Sequence, residues 1–412
     1  MSAIDTPSTV SEDIEKIDVS DPLMFQRDDF RDVFKRLRDE APVHYCEDSP
    51  FGPYWSVTRF HDIMAVDKNH QDFSSQGGVS IGNRSADFQA PNFISMDPPK
   101  HDLQRKAVTG VVAPMNLAKL EPLIRGRAGA ILDALPVGEE FNWVESVSIE
   151  LTTQMLATIF DFPFEDRRKL TAWSDLATSS VATGGTLPDE ARREGLMECL
   201  NEFTALWQER LNWDPAEHND LITLMAHNPA TRDMDPMEYL GNLILLIVGG
   251  NDTTRNSISG GVLGLNQYPQ EYDKLKTNPG LIPSMIPEII RWQTPLTHMR
   301  RVASRDVNFQ GQSIKQGDKV VMWYISGNRD ETAIDDPERF WIDRANPRHH
   351  LSFGFGIHRC MGNRLAEMQL RVLWEEIMQR FESVEVVGEP VRVASNFVRG
   401  IAELPVRVHP LS

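Results

Sequence analysis

The chain has little cysteine, no long apolar run and no surplus of basic charge, and each shortage removes a class of function. Three cysteines in 412 residues, Cys46, Cys199 and Cys360, are odd in number and widely spaced. That argues against a disulfide framework and fits a reducing compartment. The longest apolar run, Leu243 to Val248, falls far short of the roughly 20 residues that a bilayer-crossing helix needs. The acidic start, Met1 to Pro22, has no signal-peptide character. A cytoplasmic protein without a transmembrane segment is therefore expected. With 60 acidic against 42 basic side chains, the net charge of −18 speaks against nucleic-acid binding, which needs a face rich in Lys and Arg. Internal repeats and low-complexity tracts are also missing.

What is present is ordinary globular composition, 41% apolar and 25% charged, over a length that can bury a large core. Helical patterns dominate. Alternation at Val43–Tyr45 and Tyr54–Thr58, around Ser49-Pro50-Phe51-Gly52-Pro53, predicts a hairpin. A second hairpin is expected within Val307–Trp323, turning at Gly311 or Gly317, and β-branched alternation from Val384 to Val408 predicts a last small sheet. The fold class expected is mainly α with small β-sheets (α+β). Residues 1–412 read as a single domain, with a β-rich lobe from about 40–60, 300–325 and 383–408 and a helical lobe for most of the remainder. Loops at Gly77–Met96 and Val181–Pro188 are long enough for lids or binding loops, with plain surface as the other reading.

Two segments carry chemistry. Cys360 lies in Phe353-Gly354-Phe355-Gly356-Ile357-His358-Arg359-Cys360-Met361-Gly362, a glycine-lined loop followed by an amphipathic helix pattern. The positive end of that helix and its backbone N–H groups are conditions that lower a thiol pKa and favour metal ligation. A lone cysteine is otherwise usually a buried packing residue. The second segment begins at Asp235-Pro236-Met237-Glu238, which reads as N-cap, N1 proline and N3 glutamate of a helix running to about Tyr268. Its middle, Val248-Gly249-Gly250-Asn251-Asp252-Thr253-Thr254, sets paired glycines where a helix could bend around a ligand. Asp252 and Thr253 read either as a proton path into an apolar pocket or as a back-bonded Thr beside a surface Asp.

Phe-x-x-Gly-x-His-x-Cys-x-Gly, ending at Gly362, resembles the haem-binding loop of the cytochrome P450 monooxygenases at every defining position. Gly249 to Thr254 is similar to the acid-alcohol motif of that family's distal helix, although many members carry Ala in place of Gly249. The resemblance covers almost the whole chain. It implies a triangular prism that holds haem b (iron protoporphyrin IX) between a long distal helix and the proximal cysteine loop. Cys360 would be the metal ligand, Phe353 and Gly362 would lie in the cofactor loop, and His101, Arg105, Arg301 and His358 would bind the propionates. Arg300 beside Arg301 leaves the choice of guanidinium open, with the family pattern favouring Arg301. Thr253 would steady the activated oxygen while Asp252 relays protons, and Glu288, Arg291 and Arg339 would form a buried structural triad. Around the loop, Arg344, Arg348, His349, His350, His358, Arg359, Arg364 and Arg371 suggest either a dock for an acidic electron donor or neutralisation of the propionates.

By position in the family pattern, the substrate pocket is formed by Asn92, Phe93, Ile94, Leu245, Val248, Gly249, Leu296, Met299 and Phe397. At a finer level, Leu243–Ser257, Trp292–Leu296, Asn92–Asp97 and Ser395–Gly400 closely resemble the bacterial terminal alkane hydroxylases of the superfamily. That resemblance implies terminal (omega) hydroxylation of medium-chain n-alkanes or fatty acids with O2. Electrons would come from NAD(P)H through a ferredoxin reductase and a ferredoxin. Hydroxylation of a terpene or sterol side chain, and a non-catalytic haem sensor or electron carrier, remain the alternatives.

Overall fold

A computed structural model describes residues 13–83, 87–180, 184–185 and 187–411. Most of these are helical, with several small sheets, as the sequence predicts. The expected hairpin forms: Val43–Cys46 pairs antiparallel with Tyr54–Val57. It joins a five-stranded sheet in the order Val43–Cys46, Tyr54–Val57, Lys319–Met322, Met299–Ala303, Phe73–Ser74. Both faces of this sheet are apolar. Val57, Val320 and Met322 pack on one side with Ile63 and Leu351, while Tyr54, Val321 and Trp323 pack on the other with Phe25 and Phe34.

The second hairpin is Val307–Phe309 with Gln312–Ile314, and the positive φ of Gly311 makes its turn. The C-terminal strands depart from the expected β-rich lobe. Pro405–Pro410 pairs with Phe381–Val386 on one side and with Glu140–Asn142 of the helical body on the other, in a sheet separate from the first. Val384, Leu404 and Val406 accordingly bury into the large helical core. Their alternation fixed the strand type, whereas the partner strand at 140 is too short and polar to announce itself.

The long helix is Pro236–Gln267, begun by the Asp235 side chain, which accepts from the Met237 N–H. Glu238 instead turns to Lys100, with Nζ at 2.7 Å, and to Gln104. The loop from Gly77 crosses this helix closely: a Cβ on Gly241 would collide with the Pro91 and Ala90 carbonyls, so only glycine permits the crossing. Asn242 Oδ1 then accepts from Phe93 N–H at 3.0 Å, which fixes Asn92, Phe93 and Ile94 over the helix. Half of the other expected loop, Val181–Pro188, lies outside the described residues, at 181–183 and 186.

Candidate active site

The cysteine loop is shaped by protein bonds. Cys360 N–H donates to the Phe353 carbonyl and Gly354 N–H to the Leu351 carbonyl, each at 2.7 Å. Phe355 N–H reaches the buried Asp67 carboxylate at 2.8 Å. Gly354 and Gly356 adopt positive φ, and a Cβ at Gly356 would strike the Asp67 carbonyl. The thiol differs from expectation: burial pushes its pKa up, against the opposing N–H groups of Gly362 and Asn363 and the charges of Arg105 and Arg359. The helix that follows, Asn363–Arg380, supplies those N–H groups but does not outweigh desolvation.

The accessible part of Cys360 opens on an internal cavity of about 1080 Å³. All nine residues expected to contact substrate line it: Asn92, Phe93, Ile94, Leu245, Val248, Gly249, Leu296, Met299 and Phe397. Arg105, Arg301, Phe353, His358 and Gly362 line it too. The long helix runs unbroken past Gly249, where a Cβ would meet open space, while Gly250 packs on Leu156. Thr253 faces the cavity and donates to the Gly249 carbonyl at 2.7 Å. Asp252 does not line it. This carboxyl is fully buried, with Oδ1 2.8 Å from Arg255 Nη2 and Oδ2 lacking a partner among the described residues. Burial raises its pKa, and Arg255 only partly offsets that.

The cationic residues separate by role. Arg301 Nη2 lies 2.6 Å from Asp67 Oδ1 beside the cavity. Arg300 turns away and donates to the Gly77, Gly78 and Gly82 carbonyls and to Asn83, so it ties down the long loop. His101 and His358 meet edge to face, with ring centroids 4.3 Å apart. Burial lowers both pKa values.

A cytochrome P450 family model matches residues 280–403. Linalool 8-monooxygenase of Pseudomonas putida is 36% identical, over 96% of this chain and 100% of its own length. The chain belongs to the cytochrome P450 family. A methyl-branched lipid omega-hydroxylase of Mycobacterium bovis is 30% identical over 92% of this P450 and 91% of its own length. Among solved structures, CYP153D17 from Sphingomonas sp. PAMC 26605 superposes with a TM-score of 0.90 at 47% identity, covering 95% of this P450 and 98% of that chain.

P450s bind haem b through a cysteine thiolate. The residues of this P450 fit that group. His101 Nε2 and His358 Nδ1 are buried polar atoms without a partner among the described residues, as two sites for propionate oxygens would be. The positive charge of Arg105 acts on both rings, and that of Arg301 on His358.

One expected grouping needs correction. Glu288 is held by Arg291 at 2.7 Å, by Arg344 Nε at 3.0 Å and by the Trp341 N–H at 2.8 Å. The third member of the triad is therefore Arg344, and Arg339 supplies its carbonyl, which accepts from both Arg291 and Arg344. The Arg339 guanidinium reaches Glu271 at 3.2 Å. Arg291 also donates to the Asn328 carbonyl, and the Asn328 side chain holds Leu351 N–H and Ser352 Oγ at the start of the cysteine loop. The basic patch shrinks accordingly, since Arg344 and His358 are buried and Arg348 and Arg371 are paired with acids.

Asp67 was not legible in the sequence. It joins Arg301, the Tyr324 hydroxyl and Phe355 N–H, yet it sits in Ala65-Val66-Asp67-Lys68 with no motif around it. Ser75, 2.8 Å from His358 Nε2, is equally silent.

Proposed function

We propose that this P450 is a monooxygenase that hydroxylates the terminal carbon of medium-chain alkanes or fatty acids. One C–H bond, O2, two electrons and two protons become C–OH and water, with the electrons drawn from NAD(P)H through a ferredoxin reductase and a ferredoxin. One arrangement supports this most: the Cys360 thiol and the Thr253 hydroxyl border the same large, mainly apolar cavity. An electron carrier needs no such chamber, whereas a substrate and a cofactor together do.

Cys360 would ligate the iron, and His101, Arg105, Arg301 and His358 would hold the propionates. Bound there, haem supplies the activation of dioxygen. Thr253 presents a hydroxyl at the cavity wall, and the Asp252 carboxyl would relay protons from one residue behind it, screened from bulk water. A terminal C–H bond is stronger than its internal neighbours, so end-carbon attack must come from geometry. Leu245, Val248, Leu296, Met299 and Phe397 line the cavity and would supply that constraint, presenting a chain end to the centre.

The omega-hydroxylase relative supports the terminal reading, and the relative named for linalool supports the terpene alternative. The deciding experiment incubates n-alkanes, fatty acids and acyclic terpenes with a surrogate ferredoxin chain and locates the oxidised carbon. Terminal alcohols from straight chains are expected. Mainly subterminal products, or oxidation of terpenes alone, would overturn the reading. The reduced, carbon monoxide-treated protein should also show the thiolate-haem absorption band, and Cys360→Ser should abolish it.

A further inference from the structure

The cavity has a mouth at the Pro50–Pro53 turn of the first hairpin, bordered by Gly317, Asp318 and Lys319 of the neighbouring strand segment. Lys319 is half-buried there, with its Nζ donating to the Phe51 carbonyl and 3.6 Å from where a Cβ on Gly52 would stand. Among the described residues no carboxylate lies within ion-pair distance of this ammonium. Asp318 is directed elsewhere, accepting from Trp55 Nε1 and from Lys315 N–H, each at 2.9 Å.

Its surroundings sharpen the point. Lys319 is paired across the strands with Val302 and so shares a sheet face with Arg300, whose guanidinium donates to backbone carbonyls and to Asn83. Lys319 is thus the cation of this face that borders the cavity, in a protein whose net charge is −18. Burial and the Arg300 charge both lower the Lys319 pKa, as expected of a cation short of a counter-charge. At the other end of the cavity the cations are already engaged: Arg192 lies 3.0 Å from Asp189 and also donates to the Leu176 carbonyl.

We propose that Lys319 binds the carboxylate of the substrate, so that this P450 favours straight-chain carboxylic acids taken up tail first through the Pro50–Pro53 mouth. The inference rests on the reading of the cavity as a hydroxylation site for apolar chains and narrows its substrate class. The ammonium has two N–H groups beyond the one given to Phe51, enough to meet a carboxylate at the rim while the alkyl chain descends along the apolar walls. Head-group capture would fix which end of the chain arrives at Cys360, a task that apolar contacts alone, being non-directional, do poorly.

The test compares a fatty acid with the primary alcohol of the same length, using the holoenzyme, equilibrium binding by calorimetry and product analysis. The acid should bind wild type about tenfold more tightly than the alcohol, a difference of about 1.4 kcal/mol. In Lys319→Met the ratio of the two affinities should fall towards one, and in Lys319→Arg it should persist. Equal affinities in wild type, or an undiminished preference in Lys319→Met, would overturn the proposal. If Lys319→Met fails to fold, loss of the preference in Lys319→Gln and its retention in Lys319→Arg decide in its place. A wild type that hydroxylates the alcohol terminally without preferring the acid would leave the terminal-hydroxylase reading standing while Lys319 loses its role. Failure to oxidise either chain would sink that broader reading instead.

Discussion

Arg255 holds Asp252 from one turn further along the long helix, with Nη2 2.8 Å from Oδ1, and reaches Asp175 of the adjacent helix at 2.6 Å. The carboxyl proposed as the proton relay is therefore held by a cation, and it does not line the cavity. Asp252→Asn keeps the shape and removes the titratable carboxyl, so kcat should fall by about 10²-fold, in the range usual for lost acid-base catalysis. Product formed per NAD(P)H should change much less, and the solvent isotope effect should rise. An unaltered kcat would remove Asp252 from the proton path.

Thr253 should behave differently. Its hydroxyl lies on the cavity wall, and its bond to the Gly249 carbonyl fixes it there. Thr253→Ala should leave NAD(P)H consumption running while peroxide replaces product. Fully coupled turnover in that variant would assign the hydroxyl to helix structure alone.

The Glu288 network yields a stability contrast. Arg344→Met leaves the buried Glu288 with one guanidinium fewer and should cost about 3–5 kcal/mol, the scale for breaking a buried pair. Arg339→Ala removes a more exposed guanidinium and keeps the carbonyl, so about 1 kcal/mol or less is expected. Urea unfolding of both variants measures the difference. Equal losses would restore Arg339 to the triad.

His298 gives the acid limb of stability. It is fully buried, with Nδ1 2.9 Å from the Asn396 carbonyl and Nε2 accepting from Ile81 N–H at 3.0 Å. Burial lowers its pKa from 6.5 to about 3. Below pH 6.5 the unfolded chain gains a proton that the folded one refuses, so this contribution is complete above that pH and is lost as pH falls towards 3. Going from neutral pH to about pH 5, wild type should lose stability more steeply than His298→Gln, whatever the variant costs at neutrality. Parallel losses in denaturation midpoint would rule His298 out.

How much could be read from the chain alone followed from how local each signal was. The Cys360 loop, the capped helix from Asp235 and the hairpin around Pro50 are short patterns whose geometry depends on adjacent residues. Arg344 in place of Arg339 is a different case. Both guanidiniums lie within a few residues of the same turn, and only the course of the backbone decides which one points at Glu288. Lys319 and Asp67 lay further out of reach, because their meaning comes from Phe51 and from Arg301, more than two hundred residues away in each case.

Asp67 ties the sheet strand bearing Arg301 to the loop bearing Cys360, and Asn328 fastens the start of that loop. The seat for the prosthetic group is thus assembled from the polypeptide's own bonds. Strand and loop share one buried carboxylate, so that a change at Asp67 should disturb Arg301 and the cysteine loop together.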